Sequence, residues 1–282
     1  MENAIEIRGL CKNWPSFQLK NVDITLPKGY IMGFIGANGA GKSTTISLLT
    51  GRAKADCGSC KISGVPTENL SARQKEDIGL VLDECPFPET LNYKEINKFM
   101  KNIYSHWDSA KFLSDCAAFG LNPKQPVNKY SKGMKMKLSI AAATCHGAKT
   151  LILDEATSGL DPVVRDEILD MLLDFVQDEE NSVFMSSHIT SDLEKVCDYI
   201  TFINDGRIVF SMTKDQVYST YGMLRCSAEE FENIDKSRVV HARKNAYSVD
   251  ALVYRDKIST GHIIDKASLE DIMLYYVKEG RH

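Results

Sequence analysis

Short runs of apolar or small residues recur at residues 30–35, 78–82, 150–153 and 183–187. Runs of that length, closed by polar or glycine residues, predict strands buried on both faces. At residues 5–10 and 22–26 apolar and polar positions alternate instead, which predicts strands with one solvated face. A short strand between turns is expected at residues 58–64. A third pattern spaces apolar residues three and four apart: Ile96, Phe99, Met100 and Ile103, then Phe112, Leu113, Cys116 and Phe119, then Ile168, Met171, Leu172 and Phe175. These predict helices, opened by an Asn92–Glu95 capping box, by Asp108 or Ser109, and by Pro162. A helix over residues 45–49 stops at Gly51. Residues 138–145 predict a further helix, which on its own reads as solvated. Asn204-Asp205-Gly206 signals a hairpin turn, and Thr213 with Gln216 caps a short helix. Strands and helices alternate up to residue 222, so the expected architecture is a mainly parallel sheet with helices on its faces. The block at residues 86–147 reads as a helical insertion. Beyond about residue 223 short alternating runs, then a helix from Ser268 through Leu269, Ile272, Met273 and Tyr276, predict a small α+β appendage.

The buried runs end in reactive groups. Residues 30–35 lead into Gly36-Ala37-Asn38-Gly39-Ala40-Gly41-Lys42-Ser43-Thr44 and then a helix. This is a phosphate-cradling loop in its expected setting. Glycines let successive backbone N–H groups converge on oxyanions, and the helix N-terminus adds partial positive charge. Lys42 can reach outer phosphates, and the Ser43 hydroxyl can take one Mg²⁺ position. Residues 78–82 end in Asp83-Glu84, at the sheet edge where ligands bind in open α/β folds. The competing reading is two solvated loop acids. Residues 150–153 end in Asp154-Glu155, and residues 183–187 end at His188. Polar termini on successive apolar strands favour one common site. Trp14 or Phe17 can cover an adenine ring, and position favours Trp14; the alternative is that both pack under the loop.

At 43% hydrophobic and 26% charged residues, the 282-residue chain has the composition of a soluble globular protein. Its net charge of −4 gives no general attraction to nucleic acid. Residues 223–282 hold ten Lys plus Arg against ten Asp plus Glu, so they are not a basic arm. No apolar run approaches the ~20 residues that span a bilayer. The first residues lack the features of a signal peptide, so a cytosolic protein is expected, held at any membrane by another chain. Eight cysteines show no framework. Cys57 and Cys60 have ligand-like spacing without a second pair, so reduced thiols are expected rather than zinc.

Taken together, the loop at residues 36–44, Tyr130-Ser131-Lys132-Gly133-Met134, residues 151–155, Ser158-Gly159-Leu160-Asp161 and His188 resemble the motifs of an ABC transporter ATPase subunit. The resemblance covers about residues 3–220. It implies an α/β core of the P-loop NTPase type over residues 1–222, with an antiparallel β subdomain and a helical subdomain, followed by an accessory domain at residues 223–282. It implies ATP and Mg²⁺ as ligands. Trp14, Gly36, Asn38, Gly39, Ala40, Gly41, Lys42, Ser43 and Thr44 would bind nucleotide. Ser131 and Gly133 would face a nucleotide on a second subunit, and Asp161 would reach across to that subunit. Asp154, with Ser43, would hold Mg²⁺. Glu155 would activate water, and His188 would contact the outer phosphate. Two positions depart from the family pattern. Asp83 stands where a glutamine is usual, and its carboxylate is expected to ligate Mg²⁺. Lys132 stands where the family has no cation. The variant looks most like bacterial exporters of peptide antibiotics and amphipathic peptides. Expected partners are an integral-membrane permease, docked between the Asp83 loop and helices at residues 92–104, and a second ATPase subunit, identical or related. Nucleic acid is not an expected partner. The alternatives are a soluble ABC ATPase acting on ribosomes or DNA, and a subunit that binds ATP without hydrolysing it. A single cassette without a heptad run argues against the first, and intact Glu155 and His188 against the second.

Overall fold

The computed structural model describes residues 2–255 and 263–279. An antiparallel hairpin opens the chain, with β1 (Asn3–Trp14) paired to β2 (Phe17–Pro27). Both strands outrun the alternating residues that announce them, because the ladder continues to the pair Trp14–Phe17. Register shifts after Ile7 and after Leu10 break the alternation without ending the strand. β3 (Ile31–Ile35) leads through the glycine loop into α1 (Lys42–Leu49). β4 (Cys57–Ile62) and β5 (Val65–Pro66) then return to the hairpin, giving the sheet order β2-β1-β4-β5. A short helix, α2 (Ala72–Glu76), precedes β6 (Ile78–Val81).

Two helices leave the sheet here, α3 (Tyr93–Met100) and α4 (Ser109–Ala118). Asn92 and Glu95 form the expected capping box, and Asp108 caps α4 through the Lys111 N–H. α5 (Lys132–Thr144) brings the chain back. It is not the solvated helix that its sequence suggests on its own. Leu138, Ala141 and Ala142 pack with Tyr93, Phe112 and Cys116, while Met136, Ile140 and Ala143 pack with Val81 and Leu151 of the sheet. A helix pressed between two cores is apolar nearly all round and loses the one-sided pattern of a surface helix.

β7 (Thr150–Asp154), α6 (Pro162–Phe175), β8 (Ser182–Ser187), α7 (Thr190–Val196), β9 (Tyr199–Asn204) and β10 (Arg207–Thr213) complete the central sheet. Its order is β10-β9-β3-β8-β7-β6, and only β10 runs antiparallel to its neighbour. Asp205 and Gly206 both have positive φ, as a tight hairpin turn between β9 and β10 requires. Successive strand residues point to opposite faces. Ile31, Ile35, Leu151, Leu153, Val183 and Met185 face α6 and α7, whereas Met32, Phe34, Ile152 and Phe184 face α1 and the antiparallel sheet.

The rest of the chain comprises α8 (Lys214–Thr220), β11 (Tyr221–Cys226), α9 (Ala228–Glu232), β12 (Val239–Lys244), β13 (Val249–Tyr254), β14 (Ile264–Lys266) and α10 (Leu269–Glu279). Its strands form an antiparallel sheet in the order β12-β13-β11-β14. The change of pattern near residue 223 falls inside β11. This region shares its core with the central sheet, since Tyr221, Leu252, Leu269 and Ile272 belong to one apolar cluster with Leu193, Ile200 and Phe202. The Tyr276 hydroxyl lies 3.0 Å from that of Tyr221 and 3.3 Å from that of Tyr254. Glu194 of α7 accepts the Leu269 N–H at 2.8 Å, so α7 caps the start of α10.

The cysteines depart from expectation at one point. Antiparallel register sets Cys11 of β1 opposite Cys57 of β4, with Cα atoms 5.0 Å apart, and the two form a disulfide. Cys57 is therefore neither a free thiol nor a partner of Cys60 in a metal site. Burial pushes the Cys60, Cys116 and Cys145 thiols up to about 12, which keeps them protonated and unreactive. None of the described helices is long and apolar enough to cross a membrane.

Ile272 is fully buried where α10 meets the central domain. Ile272→Ala should lower the stability of the whole chain by about 2–5 kcal/mol and leave one cooperative transition. Urea denaturation followed by circular dichroism checks this; two separate transitions would show that the C-terminal region folds independently.

Candidate nucleotide-binding site

Parallel pairing carries the C-terminal ends of β3, β6, β7 and β8 to one edge of the sheet, and the loops after them meet there. Between them and the β1–β2 turn lies a cavity of about 510 Å³. Asn38, Gly39, Gly41, Lys42, Ser43 and Thr44 line it from the glycine loop, Asp83 from the end of β6, Glu155 and Ser158 from the turn after β7, and His188 from the end of β8.

The glycine loop is shaped by close approach. A Cβ on Gly36 would lie 2.5 Å from the Ile203 carbonyl oxygen, and one on Gly41 would lie 2.8 Å from Cζ of Phe17. Gly41, at φ 117°, is the cap from which α1 starts, so the first N–H groups of the helix face the cavity without a side-chain cap. Lys42 is buried, and its ammonium donates to the Gly36 carbonyl at 2.7 Å. It also lies 3.2 Å from Oε1 of Glu155. Oε2 of the same carboxylate lies 2.6 Å from Nδ1 of His188. Glu155 is thus held between two basic groups on the cavity floor.

One residue that sequence reasoning missed organises this floor. The Ser186 hydroxyl donates to Oδ1 of Asp154 at 2.6 Å and accepts the Glu155 N–H at 3.1 Å. The Ser186 carbonyl accepts the same N–H at 3.2 Å. These bonds hold Glu155 in a left-handed conformation, φ 54°, which turns its side chain away from the strand direction. The signal in the sequence is faint. Ser186 is a hydroxyl near the end of an apolar run, and only the register pairing it with Asp154 gives it a role. The Ser43 hydroxyl donates to the same Asp154 oxygen at 3.3 Å.

Beneath the turn lies a second polar group. Asp192 of α7 is nearly buried, with Arg165 of α6 3.7 Å away. Burial raises its carboxyl above the usual range, partly offset by the Thr157 hydroxyl and the Arg165 charge. Arg165 also donates to the Leu160 carbonyl, so the turn after Glu155 is held from below.

Trp14 and Phe17, at the tips of β1 and β2, both line the cavity. Phe17 packs against the glycine loop, whereas Trp14 is 46% exposed and stands on the rim, with the Lys12 ammonium 5.0 Å from its ring centre. Six expected site residues do not line the cavity: Gly36 and Ala40 of the glycine loop itself, Asp154, which bonds to Ser43 at the cavity's edge, and Ser131, Gly133 and Asp161 at the starts of α5 and α6. Ser131 caps α5 by accepting the Met134 N–H, and Asp161 caps α6 by accepting the Val164 N–H. Gly133 is buried against α6, where a Cβ would lie 2.9 Å from a methyl of Val164. Asp83 lines the cavity, but its carboxylate is already engaged, 2.6 Å from the Lys132 ammonium. The magnesium role expected for Asp83 therefore meets a competing cation.

A phosphate loop leading from a parallel strand into a helix, with carboxylates on the neighbouring strand end, defines a P-loop NTPase. The family described as ABC transporter matches residues 19–158. The chain is 35% identical over 198 residues to the lantibiotic transport ATP-binding protein SrtF of Streptococcus pyogenes, covering 70% of this chain and 85% of that protein. It is 31% identical to the linearmycin resistance ATP-binding protein LnrL of Bacillus subtilis, covering 84% of this chain and 77% of that one. The bacitracin transport ATP-binding protein BcrA of Bacillus licheniformis is 32% identical over 77% of this chain and 72% of its own length. The chain belongs to the ABC transporter family, as an ATP-binding subunit that hydrolyses ATP. Its fold is shared with the ATP-binding cassette MJ0796 at TM-score 0.66 and 18% identity, covering 74% of this chain and 98% of that one. It is also shared with cbiO1 of Clostridium perfringens at TM-score 0.62 and 23% identity, covering 78% and 92%.

Ser186→Ala removes the hydroxyl that holds the Asp154 carboxylate and the Glu155 N–H. Its expected effect is about a 10- to 100-fold fall in ATP turnover, the loss of a hydrogen bond to a charged group, with nucleotide affinity within about threefold. Steady-state hydrolysis beside titration with a fluorescent ATP analogue measures both, and unchanged turnover would remove Ser186 from this role.

Proposed function

We propose that this chain energises a separate membrane-spanning permease that exports peptide antibiotics or similar amphipathic peptides, and that it works as one of two ATPase subunits. The observation that carries the ATPase mechanism is the carboxylate of Glu155, held between Lys42 and His188. In the geometry described, Lys42 is the counter-ion of Glu155. Arrival of a triphosphate gives Lys42 stronger anionic partners, and Glu155 is then free to accept a proton from water. His188 donates to one carboxylate oxygen or to the outer phosphate and so orients both. Trp14 offers a face to the adenine ring, and the N–H groups of residues 38–44 surround the phosphates.

The donor set fits magnesium, because Ser43 and Asp154 present two oxygens 3.3 Å apart beside the glycine loop. A bound Mg²⁺ would draw charge from the outer phosphates and so ease cleavage of the terminal bond. Asp83, facing Lys132, is left out of that set.

Ser131, Gly133 and Asp161 lie outside their own cavity, which supports a second subunit contributing them to the first one's nucleotide. A two-fold arrangement lets one sequence supply both surfaces. For the permease, the supporting feature is a groove of about 510 Å³ behind Asp83, lined by Glu84, Phe87, Glu89, Val127, Tyr130 and Lys135 among others. Its walls are the loop after β6 and the start of α5, and no residue from 92–104 lines it. The permease would hold the chain at the inner face of the cell membrane. The export reading follows the relatives, which are named for lantibiotic transport, linearmycin resistance and bacitracin transport. No feature favours a ribosome- or nucleic-acid-directed ATPase.

Glu155→Gln should keep ATP affinity and lower turnover by about 10²–10⁴-fold, the usual contribution of a positioned base. Unchanged hydrolysis would exclude Glu155 as the base. Lys42→Ala should instead weaken binding of a fluorescent ATP analogue by tenfold or more, roughly the loss of a charge-assisted contact. The partner is tested by co-expression with a neighbouring membrane protein. Co-purification in detergent and peptide-stimulated hydrolysis support the transport reading, and their joint absence counts against it.

A further inference from the structure

Asp83 and Lys132 sit on different elements, the loop after β6 and the first residue of α5, yet Nζ lies 2.6 Å from Oδ1. Asp83 lines two cavities at once. One is the nucleotide cavity, beside Lys42, Ser43 and Glu155; the other is the groove, beside Lys135. Lys132 lines the groove only. The carboxylate is therefore part of the partition between the two spaces, with the ammonium on its far side. The lysine runs near Gly159, where an added Cβ would stand 3.6 Å from Nζ and 4.0 Å from Cδ. One side chain thus joins α5 to the loop after β6, close to the turn that follows Glu155.

Charge balance gives this contact a purpose. The cavity holds the carboxylates of Asp83 and Glu155, with Asp154 close by, and the ammonium of Lys42. A triphosphate adds several negative charges. Lys42 already faces Glu155, and Ser43 with Asp154 is the set that suits a divalent cation. Asp83 has no share in either arrangement, and an uncompensated carboxylate on the wall would oppose the phosphates. Among the described residues, the cation within ion-pair distance of Asp83 is Lys132.

We infer that Lys132 is a positioning residue for the nucleotide site of its own subunit: as the counter-cation of Asp83, it holds that carboxylate against α5 and removes its opposition to ATP. The inference rests on the nucleotide-binding reading of the cavity. An ion pair this open to water adds little to folding stability. Its effect falls on ligand affinity.

The test is a double-mutant cycle on the full chain with Lys132→Met, Asp83→Asn and the combination, plus Lys132→Arg. Each is titrated with a fluorescent ATP analogue and Mg²⁺, and each is melted to confirm folding. Lys132→Met should weaken binding about three- to tenfold, the scale of one nearby unpaired charge at a solvated rim. Lys132→Arg should bind as the wild type does. In the Asp83→Asn background, Lys132→Met should change affinity by less than about twofold, because nothing remains to neutralise. The defect should also shrink as salt is raised from about 0.05 to about 0.5 M. A loss caused only by altered packing would show neither the rescue nor the salt dependence. Equal losses with and without Asp83 would overturn the inference and point to Lys132 serving another anion, such as the partner subunit's nucleotide. No loss in Lys132→Met, or in Lys132→Gln if the first variant melts early, would overturn it too. Intact wild-type uptake in those cases leaves the nucleotide reading standing, whereas a wild-type chain that takes up no nucleotide overturns both.

Discussion

The register of the parallel sheet is the constraint on which the site depends. Asp154 stands opposite Ser186, and Ile35, the last residue before the glycine loop, opposite Ser187. A slip of one residue would separate Asp154, Glu155, Ser43 and His188 and turn every side chain to the other face. Hydrophobicity alone cannot prevent that slip, because strands buried on both faces are apolar at every position. Close approaches pin the register instead. A Cβ on Gly33 would lie 3.0 Å from the Cys197 sulfur, and one on Gly79 would lie 2.5 Å from the Ala143 carbonyl. These two strands meet their helices in one alignment only. Asp198 adds a further pin by accepting the Ile31 N–H at the start of β3.

This constraint explains which features could be read without coordinates. Apolar runs announce the buried strands, and the polar residues at their ends announce the site, because both follow from burial of a contiguous segment. Caps such as Asn92–Glu95 are local and equally readable. What stays hidden is non-local or depends on register. Ser186 matters only through the strand beside it. The full length of β1 is masked by shifts that break its alternation. α5 looks like a surface helix until both cores that cover it are in place. The pairs Cys11–Cys57 and Asp83–Lys132 each join segments whose meeting no periodicity encodes.

Glycine and charge divide the work at the site. Gly36 and Gly41 are there because backbone and side chains crowd the loop from behind, which leaves its N–H groups facing outwards. Gly133 has a packing reason of its own, since α5 and α6 touch through it. Its presence in a signature-like motif therefore does not by itself require a phosphate partner. The charged residues behave differently. Each carboxylate at the cavity has a named counterpart: Ser43 and Ser186 for Asp154, Lys42 and His188 for Glu155, Lys132 for Asp83. A site so arranged is satisfied before any ligand arrives, and an incoming anion must compete for Lys42 rather than find it idle.

The short helix α7 shows how far this arrangement reaches. It starts two residues after His188 and buries Thr190, Asp192, Leu193 and Val196. Asp192 faces Arg165 below the turn that follows Glu155, Leu193 fills the common core, Glu194 caps α10, and Lys195 pairs with Asp166 and Asp170 on α6. Seven residues cannot hold a helix by their own hydrogen bonds, so these contacts hold it. The helix that follows His188 is therefore held by α6 and by the C-terminal region. α10 places Leu269 and Ile272 in the same core as Leu193 of α7. Leu193 of α7 and Ile272 of α10 belong to one packed core, whereas Phe231 and Val249 lie in a separate cluster with Ala251 and Val253 of β13.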